Sequence, residues 1–375
     1  MGKQGDRKAR KQRAQEREQQ RRQASADREP GPEAFGIKMP PPAAPGAPAQ
    51  RPDYSRTDWD ALRAAYPRDA ERVKRAMFIA FVGERAKQAK DFLAWGLRPN
   101  SIHPDSRFAR DNAAVTLDDE PNLVSSTALY PTMNASEHLV AAAEVIALAL
   151  TQGQMRTSAL AALCRIAMES SAKTIWLIRE TDTDERLRRC YGFIKGERGR
   201  QEQFEKLEAE ALEARTDPLA DTQRVKFEKH RERSAARHGQ IQVLPAEALT
   251  GPPGPLELVE DAEDWMDEHL PREPDPELGK VIHPRSAKSF YSLSSGFVHG
   301  FKWQAEFLFD SSGELDDSGL LEVTLDALGN AIRMTECAVA LHEAQSIGPR
   351  PDPRRVRNYP AGLADYVKHL SPLYQ

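Results

Sequence analysis

Apolar side chains recur at helical spacing in four segments of the chain, and these segments predict its core. They cover about 134–153, 157–180, 284–309 and 320–345. The first begins at Asn134, where Glu137 three residues later completes a capping box, and Gly153 ends it. Almost no run alternates apolar and polar residues over the length of a strand. The pattern therefore predicts an all-α protein with a core, residues 134–348, that resembles a four-helix bundle.

A charged insertion, residues 184–283, separates the second core segment from the third. Up to about residue 238 it has few apolar side chains and many helix-favouring ones, with a break at Thr216-Asp217-Pro218. This composition predicts a long helical hairpin that projects from the core. Ten Asp and Glu residues then lie between Glu257 and Glu277, and we expect them to form an acidic loop that is solvated or holds a basic segment.

Three further regions flank this core. Residues 1–53 combine a basic stretch with a proline-rich stretch and are expected to be a disordered tail. Residues 54–133 are predicted to contain a helix at about 69–95 and an irregular connector from 96 onward, where prolines interrupt regular structure. Residues 349–375 contain several prolines and are expected to be peripheral.

Charge is distributed unevenly along the chain. The chain has a formal net charge of −4, but residues 1–28 hold ten basic and four acidic side chains, a net charge of +6 that leaves −10 on the rest. A basic tail on an acidic body can contact nucleic acid, an anionic membrane or the body itself. Contact with RNA or DNA phosphates would be weak, salt-sensitive and independent of sequence. The alternative is a solvated tail without a partner.

The cysteines and the hydropathy pattern bear on the compartment. Three widely spaced cysteines without a CxxC pair predict neither a disulfide framework nor a zinc site, and no metal or cofactor motif is recognisable. The first residues lack the apolar region of a signal peptide. The most apolar stretch, Leu139–Leu150, is interrupted by Glu144 and is too short for a membrane span. We therefore expect a cytoplasmic protein that does not enter a membrane.

His299 is the first candidate for catalytic chemistry. In a helix over 284–309, Phe290, Leu293 and Phe297 point one way, and His299 lies on the opposite side with Ser292. A histidine in that position can act as a general acid or base near neutral pH. The alternative is that this side of the helix is simply solvated.

Arg165 and Glu169 are the second candidates. With Trp176 they lie opposite the apolar face of the second core helix, and Glu169 can pair with Arg165 or Lys173 at four-residue spacing. A polar site would exist if Arg165 and Glu169 met His299 between helices. The alternative is a helix that is packed on both sides within a larger bundle.

These motifs carry a resemblance to a known family. A helix with Arg-x-x-x-Glu, followed much later by Tyr-x-x-Leu-Ser-x-x-x-His, resembles bacterial helical proteins of the HEPN-like kind over about residues 134–345. The resemblance implies a helical bundle that is often dimeric, and a metal-independent ribonuclease in many members. The family's Arg-x4–6-His spacing is absent upstream of His299. It occurs at Arg233 and His238 and at Arg98 and His103.

Two classes of function follow from the sequence. The first is a non-enzymatic helical interaction or regulatory protein that associates with nucleic acid through its basic tail. The second is a HEPN-like ribonuclease of a toxin or anti-phage type, in which His299, with Arg165 and Glu169, or else Arg233 with His238, assists attack by the RNA 2′-hydroxyl. A homodimer is expected mainly from the resemblance. The position of His299 relative to a cation distinguishes the two classes.

Overall fold

The computed structural model describes the larger part of the chain. The described residues are 61, 67–118, 120–270, 285–307, 309, 317–350 and 355–375. The chain divides into two compact units, of which the first comprises Met1–Lys74 and Pro274–Val281 and is described at residue 61 and over 67–74. The second comprises Arg75–Glu273 and Ile282–Gln375. The tail expected over 1–53 lies outside the described residues.

The all-α class is confirmed: the described residues form helices and their connections, with one isolated bridge residue, Phe309, and no strand. Four helices correspond to the predicted core: α4 (Leu123–Gln152), α5 (Thr157–Ile178), α9 (Ala287–His299) and α10 (Asp317–Ser346). α5 lies at the centre and packs against the other three and against α8 (Pro255–His269).

The N-terminal region is more helical than expected. The helix predicted at 69–95 is two helices, α1 (Pro67–Lys90) and α2 (Leu93–Leu97), because the chain turns at Asp91 and Phe92. The connector expected after residue 96 contains α3 (Arg107–Ala113), which is capped by the Ser106 hydroxyl.

The predicted start of α4 at Asn134 is wrong, because the helix begins at Leu123 and contains Pro131. Proline removes the bond from its own nitrogen to the carbonyl of Thr127. Buried residues on both sides of it, among them Val124, Ala128 and Ala135, continue one apolar face, and their burial offsets that loss.

α4 is also more apolar over its length than the sequence pattern suggested. By length and composition it is, among the described residues, the one helix that is apolar enough to cross a membrane. A core helix of a bundle meets the same criterion, and Leu139, Ala143 and Ile146 of α4 are fully buried. Packing of this buried face within the bundle accounts for part of its apolar character.

The charged insertion begins with two helices, α6 (Thr183–Ala214) and α7 (Ala220–Gln242), which pack against each other on either side of the predicted break. A small apolar cluster joins the base of this hairpin to the start of α4. The cluster consists of Leu117, Leu123, Cys190, Tyr191, Ile194 and Ile241.

The acidic strip is not a loop where the structure describes it, because residues 255–269 form α8. Leu258, Val259, Ala262 and Met266 give this helix a buried face. Its acids hold neighbouring elements together, and two examples are Asp261 Oδ2, 2.7 Å from Arg179 Nη2, and Glu263, which accepts from the backbone N–H of Ala287. The rest of the strip, 271–277, lies outside the described residues.

The third core helix ends earlier than predicted. α9 stops at His299 because Gly300 adopts the left-handed conformation, with φ 64°, and a 3₁₀ turn follows at Lys302–Phe307. Phe301 lies beyond this helix end and is half exposed.

The C-terminal region is not peripheral. α11 (Leu363–Leu370) packs against α10, and Tyr374 is buried beside the guanidinium of Arg186. Arg186 Nη2 lies 2.9 Å from Asp111 Oδ2, and both side chains are fully buried. The N–H bonds of Arg186 are not aimed at this oxygen, so the attraction is chiefly coulombic. Burial lowers the pKa of Arg186 to about 10, against the opposing effect of Asp111.

Candidate functional site

His299 stands apart from the other predicted site residues. It is exposed at the C-terminal end of α9, and its ring stacks on Phe301 with 5.6 Å between centroids. Among the described residues it makes no side-chain hydrogen bond or ion pair. The two-helix site expected for His299, Arg165 and Glu169 is therefore not formed within this chain.

Arg165 and Glu169 meet Tyr291 instead. Arg165 Nη2 donates to the Tyr291 hydroxyl at 3.0 Å, and that hydroxyl donates to Glu169 Oε2 at 2.9 Å. The guanidinium also lies over the tyrosine ring, 4.5 Å from its centroid. Lys173 Nζ completes the chain 3.0 Å from Glu169 Oε1. His299 is eight residues from Tyr291, or about 12 Å along the helix axis.

The directions of the pKa shifts in this network determine which of its groups are charged. Burial would raise the pKa of Glu169, but the charge and hydrogen bond of Lys173, the Tyr291 hydroxyl and Arg165 together lower it. Burial and the neighbouring Glu169 raise the pKa of Tyr291, against Arg165. At neutral pH Glu169 is therefore ionised and Tyr291 is protonated, so the network holds α5 against α9 without a free group for proton transfer.

Trp176 belongs to the core rather than to a binding surface. It is buried, and the guanidinium of Arg189 lies 5.2 Å from its ring and donates to its carbonyl at 2.7 Å. α5 is thus packed on both sides at this position.

The two Arg–His spacings also fail to form a shared site. Arg233 is exposed, whereas His238 is buried in the hairpin, where its Nε2 lies 3.1 Å from Gln201 Oε1. Arg98 is exposed, and His103 Nδ1 accepts from the backbone N–H of Asp105 at 3.0 Å.

A concave site that the sequence did not indicate lies between α4, α5, α6 and α7. This cleft, here called the Tyr130 cleft, encloses about 290 Å³. Its floor is apolar and its walls carry Tyr130, Lys173, Glu197 and Arg237. The floor is formed by Leu123, Pro131, Phe193 and Ile194.

Sequence reasoning missed this cleft for a physical reason. Tyr130 and Pro131 fall within the connector expected up to residue 133, and Glu197 falls within the charged hairpin, whose packing against α4 and α5 depends on the tertiary structure. One signal was present: Glu197 follows the run Tyr191–Ile194, which the structure shows to be buried, at a spacing that places it on the rim of that face.

The distal half of the hairpin presents a second surface. Phe204, Leu207, Leu219 and Val225 are each more than half exposed there. The rings of Phe204 and Phe227 meet edge to face across the two helices at 6.4 Å. The seam between the helices also includes polar contacts, since Ser234 accepts hydrogen bonds from Arg198 and Gln201.

In the described parts of the chain, no group of three or more His, Cys, Asp and Glu side chains is arranged to hold a metal ion. Comparison with protein-family models, with curated proteins and with solved structures found no match to this chain.

Proposed function

We propose that the protein is a non-enzymatic helical interaction protein that self-associates through the distal half of the α6–α7 hairpin. The observation that carries the proposal is the exposed apolar surface formed by Phe204, Leu207 and Val225 in the distal half of the two helices. Exposed apolar surface on a helix is removed from water when a second helical surface packs on it.

The charges of the hairpin favour a second copy of the same chain as the partner. The distal part of α6 is acidic, with Glu202, Glu208, Glu210 and Glu213, whereas Glu205 is buried against Arg198. The facing part of α7 is basic, with Arg224, Lys226, Lys229, Arg231 and Arg233. In a two-fold antiparallel pair, the acidic helix of one copy lies along the basic helix of the other, so a single surface is complementary to itself.

Sedimentation velocity tests this proposal. We expect the natural chain to dimerise at micromolar concentration and the double variant Phe204→Ser with Leu207→Ser to be monomeric. A matched control replaces Leu97 and Leu148, which are similarly exposed elsewhere, with serine and leaves the dimer intact. A natural chain that stays monomeric at about 100 µM would contradict self-association.

Nucleic acid is the partner proposed for the basic arm, residues 1–28, on the basis of its net charge of +6. Neutralised phosphates release counterions, so the affinity for RNA should fall steeply with salt. Replacing the ten Lys and Arg of the arm with Gln should abolish RNA binding measured by fluorescence anisotropy. Unchanged binding by that variant would locate the contact elsewhere. The three free, buried cysteines support a reducing, cytoplasmic location for the protein.

The ribonuclease alternative gains no support from the arrangement of His299, Arg165 and Glu169 described above. Its test is cleavage of a mixed cellular RNA pool in EDTA by the natural chain and by His299→Ala. The interaction proposal expects intact RNA with both proteins. Cleavage that disappears in the variant would establish the enzyme instead.

A further inference from the structure

Most hydrogen-bond donors in the lining of the Tyr130 cleft are already engaged, although Arg237 Nε is buried without a hydrogen-bond partner. Lys173 Nζ lies 3.0 Å from Glu169 Oε1, outside the cleft, and Arg237 Nη1 lies 3.5 Å from Glu120 Oε1 on the cleft wall. Gln201, which also lines the cleft, uses its amide N–H on Ser234 at 2.6 Å. Lys173, Gln201 and the Nη1 group of Arg237 therefore have acceptors without a ligand.

The side-chain amide of Asn134 also uses its N–H on an acceptor within the protein. Its Nδ2 donates to the Ser170 hydroxyl at 2.7 Å, and both residues line the cleft. This bond orients the amide so that its oxygen is left as an acceptor.

Some hydrogen-bond acceptors that line the cleft remain available to a ligand. Among the described residues the carboxylate of Glu197 makes no hydrogen bond or ion pair, although it lines the cleft. The carbonyl of Thr127 has lost its usual intrahelical donor, because Pro131 has no N–H, and both residues lie on the face of α4 that lines the cleft. These groups favour a ligand that donates hydrogen bonds.

The remaining lining defines the shape and polarity of that ligand. The Tyr130 side chain is 74% exposed and presents a ring on which a cation can rest. The floor of Leu123, Phe193 and Ile194 is apolar and suits an alkyl stem. A space of about 290 Å³ accommodates a short chain but not a folded domain.

We propose that the Tyr130 cleft binds an organic cation, a primary ammonium or guanidinium group on an alkyl stem, with Glu197 as its counter-ion and Tyr130 as its aromatic wall. This chemistry has two sources. One is a free diamine or guanidine, and the other is a lysine or arginine side chain of a polypeptide. The inference does not depend on the hairpin surface or on the proposed self-association.

Isothermal titration calorimetry with cadaverine and agmatine tests the proposal, with 1-pentanol as the uncharged probe of similar length. Two full-length proteins are titrated: the natural chain and the chain in which the ten basic residues of 1–28 are Gln. We expect both amines, but not the alcohol, to bind at least one of the two proteins. Binding that occurs only after the arm is neutralised would identify the arm as the occupant. Absence of amine binding to both proteins at about 10 mM overturns the proposal.

Variants locate the site. Glu197→Gln keeps the shape of the side chain but removes its charge, and should weaken amine binding roughly tenfold or more. Glu144→Gln, at an exposed position of α4 that does not line the cleft, is the matched control and should have no effect. Tyr130→Leu should weaken amine binding severalfold through loss of the ring. Circular dichroism establishes that each variant is folded, and amine binding that survives Glu197→Gln unchanged would place the cation elsewhere and overturn the proposal.

Discussion

At the scale of single residues, Tyr291 shows how a polar group joins two core helices. Its side chain is 5% exposed, and its hydroxyl both accepts from Arg165 and donates to Glu169. Sequence spacing placed Arg165 and Glu169 on one face of α5, but the partner came from α9, 122 residues beyond Glu169. The hydroxyl forms one hydrogen bond with a positively charged group and one with a negatively charged group. These bonds offset the cost of partly burying the two charges.

We expect Tyr291→Phe to destabilise the protein by about 1 kcal/mol, because a buried hydroxyl with two charged partners is lost while the ring remains. Urea unfolding followed by circular dichroism measures the change. Tyr130→Phe removes an exposed hydroxyl and is the matched control, expected to change stability little. Equal effects of the two substitutions would refute the bridging role.

The buried His342 makes the stability of the native protein depend on pH. Burial lowers its pKa to about 4, with Glu343 opposing and Arg355 reinforcing that shift. An unfolded histidine has a pKa of about 6.5, so between pH 6.5 and 4 the unfolded chain binds a proton that the native protein does not. Stability from this group is therefore complete above pH 6.5 and falls as the pH drops to 4, by on the order of 3 kcal/mol.

Urea midpoints at several pH values between 4 and 7.5 test this dependence. His342→Gln should remove part of the slope between pH 4 and 6.5, whereas His230→Gln, at an exposed position, should retain it. A slope that is the same in all three proteins would mean that His342 does not titrate as stated.

At the scale of elements, two glycines of the core helices have different roles. One ends a helix, and the other lies inside a helix where a larger side chain would fit. Gly300 terminates α9 in the left-handed conformation, whereas Gly329 lies inside α10 with open space where the Cβ of a larger residue would lie. An L-residue incurs a steric penalty in the first backbone conformation but none in the second.

Substitution by alanine should therefore have opposite effects at the two sites. Gly300→Ala is expected to destabilise by about 1 kcal/mol, and Gly329→Ala to stabilise by about 0.5 kcal/mol or more, because alanine lowers the entropy of the unfolded chain and favours helix. Thermal unfolding of both variants measures the difference. Effects of the same sign would contradict the assigned helix end.

At the scale of the whole molecule, the last residues of the chain complete a buried polar centre. The Tyr374 hydroxyl donates to the carbonyl of Arg179 at 2.7 Å, and the Tyr374 carbonyl accepts from Arg110 at 2.8 Å. The same ring covers the guanidinium of Arg186, whose partner Asp111 is fully buried. Segments far apart in the sequence thus exclude water from one ion pair, and breaking such a centre is costly.

We expect Tyr374→Ala to destabilise by about 3 kcal/mol, because it removes a buried ring and admits water to the Asp111–Arg186 pair. Leu373→Ala, at a 45% exposed position next to it, is the control and should cost less than about 1 kcal/mol, as surface substitutions usually do. Chemical unfolding measures both. A similar, small effect of the two would show that Tyr374 does not seal the centre.

Where sequence reasoning succeeded, local chemistry was sufficient. The helix from Thr157, the break at Thr216-Asp217-Pro218 and the last core helix follow from periodicity and helix-breaking residues within a few turns. It failed where local signals were overridden. Pro131 suggested a connector but lies inside α4, since burial of a continuous apolar face outweighs one lost hydrogen bond.

The sequence by itself determined the all-α class, because the 3.6-residue period of apolar positions is a property of each segment alone. Only the tertiary structure decided which polar residues meet. It joined Arg165 and Glu169 to Tyr291, left His299 in solvent and brought Tyr130 and Glu197 to one cleft. Such meetings depend on how helices far apart in the chain rotate and pack against one another, and that information is not carried by the spacing of residues within any one helix.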